Sequence, residues 1–171
     1  MKKIILTIVI GAFTVLAAFS QKYAFVDTDY ILSHIPTYKA AQDQLDKVSS
    51  EWQREIEGKY QEIDDLYKSY QAEKVLLSEE MKKKREDEII TKEKAVKELQ
   101  RKYFGPEGEL YQKRQELVKP IQDEIYNAVK ELSAEGNYAV IFDTAEGLTI
   151  LYYNPKYDVS DEILQKLGYK N

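Results

Sequence analysis

Few side chains in this chain of 171 residues are of types and at spacings that could do chemistry. Asp27-Thr28-Asp29 places two carboxylates two residues apart, which could begin a site for a hard cation. Such cations want six or more oxygen ligands, and the neighbouring sequence supplies no further carboxylate. Strand-end and helix-end capping is the better reading of these three residues. His34 is the only histidine, so neither a His-pair metal site nor a relay through several histidines can be built. It reads as a partly exposed residue at a helix end. Gly105-x-x-Gly108 lacks the Lys-Ser/Thr and the preceding strand that a phosphate loop needs. There is no cysteine, and so no disulfide, thiolate metal site or lipid-bearing cleavage point. No catalytic residue, metal site or cofactor is expected.

The remaining chemistry is that of surfaces. Lys82-Lys83-Lys84-Arg85 is a basic run that could attract acidic polypeptides or anionic lipid headgroups. Glu86, Asp87 and Glu88 follow at once, which also fits a solvated helix face. Tyrosine is abundant, at 14 residues. Its apolar body and polar tip suit adaptable contact surfaces. Tyr60, Tyr67 and Tyr70 share one helical stretch. Tyr60 and Tyr67 are expected in a packing seam, and Tyr70 is expected to meet a client.

These residues must be positioned by long helices. From Tyr38 the apolar positions step by three and four through Ala41, Leu45, Val48, Trp52, Ile56, Tyr60, Ile63, Tyr67 and Tyr70. The steps from Leu45 to Ile56 form an eleven-residue repeat, which locally relaxes left-handed supercoiling. Pro36 suits a first turn. A helix to about residue 72 would be about 55 Å long. Its stripe is narrow and the rest is charged, as in a coiled-coil seam that needs a partner. Ser78, followed by Glu79 and Glu80, predicts the start of that partner. Ile89, Val96, Leu99 and Tyr103 carry its seam, and the short link near 73–78 predicts an antiparallel hairpin. Residues 42–73 hold nine acids and four bases, and 92–114 hold seven bases and four acids, so the arms attract.

Gly105, Pro106 and Gly108 interrupt the second arm, and Pro120 should kink it again. All four are hinge candidates. The stripe resumes at Leu110, Leu117, Ile121, Ile125, Ala128 and Leu132. Gly136 is the expected stop.

Three strands are expected: 23–27, 138–143 and 148–153, the last two as a hairpin. Thr28 or Asp29 should cap a short turn through Leu32. Asp158 or Ser160 should cap a last helix over 161–167, stopped by Gly168. The two Y-A-led strands flank the helical excursion and should be sheet neighbours. So small and apolar a base is expected to associate. Tyr23, Phe25, Val26, Val140, Ile141, Phe142, Leu148 and Ile150 are the oligomerisation candidates. The fold class is therefore α+β, mostly α. Its parts are a helical hairpin over 36–135 and a β-rich body from 21–35 and 136–171.

Lys2 and Lys3 precede the apolar run Ile4–Phe19, with small residues at 18 and 20. This reads as a signal peptide cleaved after Ser20, hence export. Without Lys2 and Lys3, 23 basic residues face 30 acidic ones, a balance of −7 unlike that of a nucleic-acid binder.

The order of parts resembles the Skp/OmpH family. It runs from signal peptide and Y-A-F-V-D strand through helical hairpin and Y-A-V-I-F-D strand to a D-V-S-D-E-I-L-Q-K-L terminal helix. The resemblance implies a homotrimer with a β-rich body and three tentacles around a cavity. It implies an ATP-independent periplasmic chaperone that holds unfolded outer-membrane proteins. The acidic balance departs from the strongly basic familiar members. The rival readings are a non-catalytic coiled-coil envelope scaffold and a protein touching the anionic membrane surface through the basic run.

Overall fold

The computed structural model describes residues 21–145, 147 and 149–169. The expected signal peptide and Leu148 lie outside them. The elements are β1 (Lys22–Val26), α1 (Thr28–Ser33), α2 (Pro36–Glu73), α3 (Glu79–Phe104), α4 (Glu109–Leu117), α5 (Lys119–Gly136), β2 (Tyr138–Asp143), a 3-10 turn (Pro155–Tyr157) and α6 (Ser160–Lys166). The fold is mostly helical, with one small sheet. It divides into two compact units, one over Ile35–Asp123 and one from the residues up to His34 with those from Glu124 on.

In the Ile35–Asp123 unit, α2 runs 38 residues without a break. Pro36 stands in its first turn, where a missing N–H costs nothing. The link to α3 is closed by the Leu76 N–H, which donates to the Glu73 carbonyl at 2.8 Å. The Ser78 hydroxyl accepts from the Met81 N–H and caps α3, with Glu79 and Glu80 in the first turn. Ile56, Ile63 and Tyr70 of α2 and Ile89 and Val96 of α3 form one buried cluster. On each helix these residues recur every seven, so one narrow face is buried and the rest meets water. Cross-contacts descend α2 as they ascend α3. Tyr70 meets Glu86, Glu62 meets Lys92 at 3.8 Å, and Trp52 stacks on Tyr103 at 4.5 Å and 5°. The pair is antiparallel. Among the described residues, Glu62–Lys92 is the one ion pair joining α2 to α3; most others are three or four residues apart on one helix. The opposite charge of the arms thus biases pairing, while apolar burial holds it.

The predicted break is a tight turn. The Gly105 N–H donates to the Arg101 carbonyl at 2.8 Å, and the Gly108 N–H to the Gly105 carbonyl at 2.9 Å. Both glycines are needed for space. A Cβ on Gly105 would stand 2.3 Å from the Arg101 oxygen, and one on Gly108 2.7 Å from the Tyr103 oxygen. The second discontinuity falls at Val118. Two residues on, Pro120 lacks the N–H that an uninterrupted helix would use there. Around it Ala41, Leu45 and Val118 form a second buried cluster with Leu110 and Leu117.

In the other unit, β1 and β2 pair in parallel, with Ala24 opposite Ile141 and Phe25 opposite Phe142. The two Y-A-led strands are neighbours, as their similarity suggested. α1 packs against α6, and Ile31, Ile163 and Leu164 are the largest fully buried side chains. Polar closures tie strand ends to helix starts. The Asp27 carboxylate accepts from the Tyr30 N–H, and the Asp27 N–H donates to the Ser160 hydroxyl, both at 2.9 Å. The Thr28 hydroxyl donates to Asp143 at 2.7 Å.

Four local expectations are corrected. Residues 149–153 form no strand, so the sheet has two strands. Tyr153 instead lays its ring 4.8 Å from that of Phe25 and donates its hydroxyl to Asp158, so side-chain docking replaces main-chain pairing. The cap of α1 is Asp27, one residue before Thr28. Asn137, at φ 53°, takes the left-handed position expected of Gly136. Gly136 stays in the helix and makes room for the Tyr138 ring. The last helix begins at Ser160 and is capped by neither Asp158 nor Ser160; Asp158 accepts the Ser160 N–H from just outside it, at 2.9 Å.

Ile163 is wholly buried while its neighbour Glu162 is exposed. Ile163→Ala should lower unfolding stability by about 2–5 kcal/mol. Glu162→Ala should change it by less than ~0.5 kcal/mol. Urea midpoints read by circular dichroism check both.

Candidate functional site

The surfaces available for binding follow from what each core leaves out. On α2 the buried positions are 56, 63 and 70. Tyr60 and Tyr67 lie four residues beyond Ile56 and Ile63, which turns them past the seam edge. They are 41% and 51% exposed, so the expectation that they pack in the seam is corrected. Tyr70 is corrected in the opposite sense. It is 4% exposed, and its hydroxyl donates to Glu86 across the helix pair. Its phenol is therefore a seam lock, turned away from any client.

The hydrogen bond to Glu86, then burial, then the charge of that carboxylate push the Tyr70 phenol up to about 12. Tyr103, donating to Glu55 at 2.9 Å, is raised for the same leading reason. Tyr153 is raised by its hydrogen bond to Asp158.

The basic run is unevenly engaged. Lys82 meets Glu79 at 2.6 Å and Arg85 meets Glu88 at 3.6 Å, both along α3. Lys83 and Lys84 are exposed. The turn before the run carries features that the sequence reading passed over. Val75 is 91% exposed and Leu76 is 87% exposed, with Met81 at 53%. Leu77 instead packs on the seam cluster. The legible signal was three consecutive aliphatics in a link where polar turn residues are the rule.

The sheet unit presents an aromatic face. Phe25 stacks on Phe142 at 5.6 Å, and Tyr23 meets Phe25 at 6.1 Å and Tyr157 at 5.5 Å. Tyr23, Val140 and Phe142 are substantially exposed, and Phe25, Ile141 and Ile150 are half-buried. Val26 differs from its fellow oligomerisation candidates. It is 3% exposed and spent within its own unit.

Open space at the Gly105–Gly108 turn, about 660 Å³, is lined by both signs of charge, including Glu98, Arg101, Lys102 and Glu109. Lys102 bridges the break to Glu109 at 3.2 Å. His34 accordingly ends α1, its Nδ1 2.8 Å from the Tyr30 carbonyl oxygen. Among the described residues no helix is long and apolar enough to cross a membrane.

This arrangement, apolar and aromatic side chains on open surfaces of two small cores, defines a protein built for contact with other molecules. The chain belongs to the family of OmpH-like outer membrane proteins, whose model matches residues 22–167. It is 28% identical over 150 residues to an uncharacterised protein of Aquifex aeolicus strain VF5, covering 88% of each. Its fold is similar to the crystal structure of a candidate OmpH-like outer membrane chaperone from Caulobacter crescentus CB15. There the TM-score is 0.66 at 14% identity, over 86% of this chain and 83% of that one.

The Tyr70 lock has a pH signature. A phenol whose folded value lies above its unfolded value of about 10 stabilises fully below pH 10. That contribution is lost as pH rises through about 12. Tyr70→Phe should remove a late phenolate step near that pH from an absorbance titration and flatten the stability loss above pH 10.

Proposed function

We propose that the chain is an ATP-independent holding chaperone of the periplasm that cages unfolded outer-membrane proteins and prevents their aggregation. Family membership supports the class of activity. The observation that carries the reading is the pairing of a long two-helix arm with an aromatic sheet face that its own unit leaves uncovered. A face with Tyr23, Val140 and Phe142 open to water favours a second copy, and a homotrimer is the assembly we infer. Each arm would then be one tentacle around a shared cavity.

Caging needs many weak contacts in place of one tight site, because spread contacts hold a chain while each stays exchangeable. Exposed Tyr60 and Tyr67 offer such contacts, and Lys82, Lys83, Lys84 and Arg85 offer charge to acidic segments. Enclosure keeps unpaired strand edges from one another, which is how barrel precursors aggregate. Release needs no nucleotide if membrane folding buries the client more fully, and no catalysis is assigned. Gly105, Pro106, Gly108 and Pro120 are the proposed bending points, since they interrupt only the returning arm. Export through a signal peptide ending at Ser20 belongs to the same proposal.

The test is light scattering by an unfolded outer-membrane protein diluted from urea, with and without this protein, and no nucleotide. Suppression is expected, together with a native mass of three chains. Phe142→Glu should dissociate the assembly. Undiminished aggregation would favour a scaffold and overturn the reading, as would a native mass of one chain.

A further inference from the structure

The end of the helix pair carries apolar side chains with no core to join. Val75 and Leu76 are almost fully exposed, and Met81 is half exposed one turn into α3. Nothing about the turn requires them there. The backbone closes through Leu76 N–H and the Glu73 carbonyl, and Ser78 caps the next helix, whatever the side chains at 75 and 76. Leu77 alone is drawn back into the seam. Water-facing aliphatics at both other positions are a cost without a structural return, so their use lies outside the fold.

The shape narrows the partner. The aliphatics sit on a turn of four residues between two capped helices, which is a convex point without a groove. An extended peptide finds no cleft there. A layer that a point can enter is a lipid surface, where aliphatics settle below the headgroups and lysines reach back to them. The charge around the point also selects. From Glu73 to Glu88 there are five basic and six acidic side chains. Lys82 and Arg85 are tied to Glu79 and Glu88. A surface this evenly mixed gains little from net anionic lipid. It complements a zwitterionic layer, where basic groups can meet phosphates and acidic groups can meet ammonium heads.

We propose that the 75–81 turn is a wedge that inserts Val75, Leu76 and Met81 into the interface of a zwitterionic phospholipid surface, driven by apolar burial and little affected by salt. One wedge binds weakly. Several copies of the chain would add their wedges by avidity, and that part alone rests on the assembly proposed above.

The absence of cysteine makes a site-specific test possible. Val75→Cys carries a polarity-sensitive fluorophore, with Glu57→Cys on exposed α2 as the reference. Phosphatidylcholine vesicles should blue-shift and brighten the label at 75 and leave that at 57 unchanged. The signal should survive raised salt. In unlabelled protein, Val75→Ser with Leu76→Ser should weaken vesicle binding by about tenfold. Holding of an unfolded outer-membrane protein should persist in that variant, so failure here is distinguishable from failure of the chaperone reading. No shift at residue 75 would overturn the proposal, as would a shift that needs anionic lipid and vanishes with salt. Loss of client holding with unchanged vesicle binding would assign the turn to clients and equally overturn it.

Discussion

The structure depends on one contact, the narrow apolar seam between α2 and α3. Ile56, Ile63 and Tyr70 meet Ile89 and Val96, and little else buries apolar surface along that stretch. Neither helix has a second hydrophobic face, so neither could hold its shape alone in water. Trp52 stacked on Tyr103 extends the seam to the Gly105–Gly108 turn, where α3 stops and α2 continues. Because the seam uses so few positions, the rest of each helix is free to carry charge and exposed aromatics. A holding surface can be built on it without touching the core.

The sheet unit shows the same economy. Its closure is largely polar at the strand ends, through Asp27, Ser160, Thr28 and Asp143, and apolar at Ile31, Ile163 and Leu164. Two strands cover one another's edge on one side only, and the aromatic face they carry is left to solvent. Very small units of this kind gain most from association, since one copy cannot bury what it exposes.

Much of this was legible in the sequence because it is written in spacing. Sevens and fours give the long helices, Ser78 and Pro36 mark their starts, and Gly105-Pro106 marks the break. The repeated Y-A motif gave the strand pairing. What spacing cannot resolve is a difference of one helical step. Tyr60, Tyr67 and Tyr70 all fit a stripe with steps of three and four, yet the sevens that begin at Ile56 take Tyr70 in and leave the other two outside. The missing third strand had the composition of a strand, but nearby ring and hydroxyl partners captured Tyr153 first. The aliphatic turn was read as a link because sequence periodicity describes elements and is silent on what joins them.

The seam account is tested most directly by comparing Val96→Asp with Lys97→Asp in far-ultraviolet circular dichroism. Val96 is 2% exposed and Lys97 faces solvent. A carboxylate at 96 would stand unpaired among Ile63, Ile89 and Leu99. The account predicts that Val96→Asp loses helical signal from both α2 and α3 together, while Lys97→Asp keeps it. Equal helicity and equal melting in the two variants would contradict it.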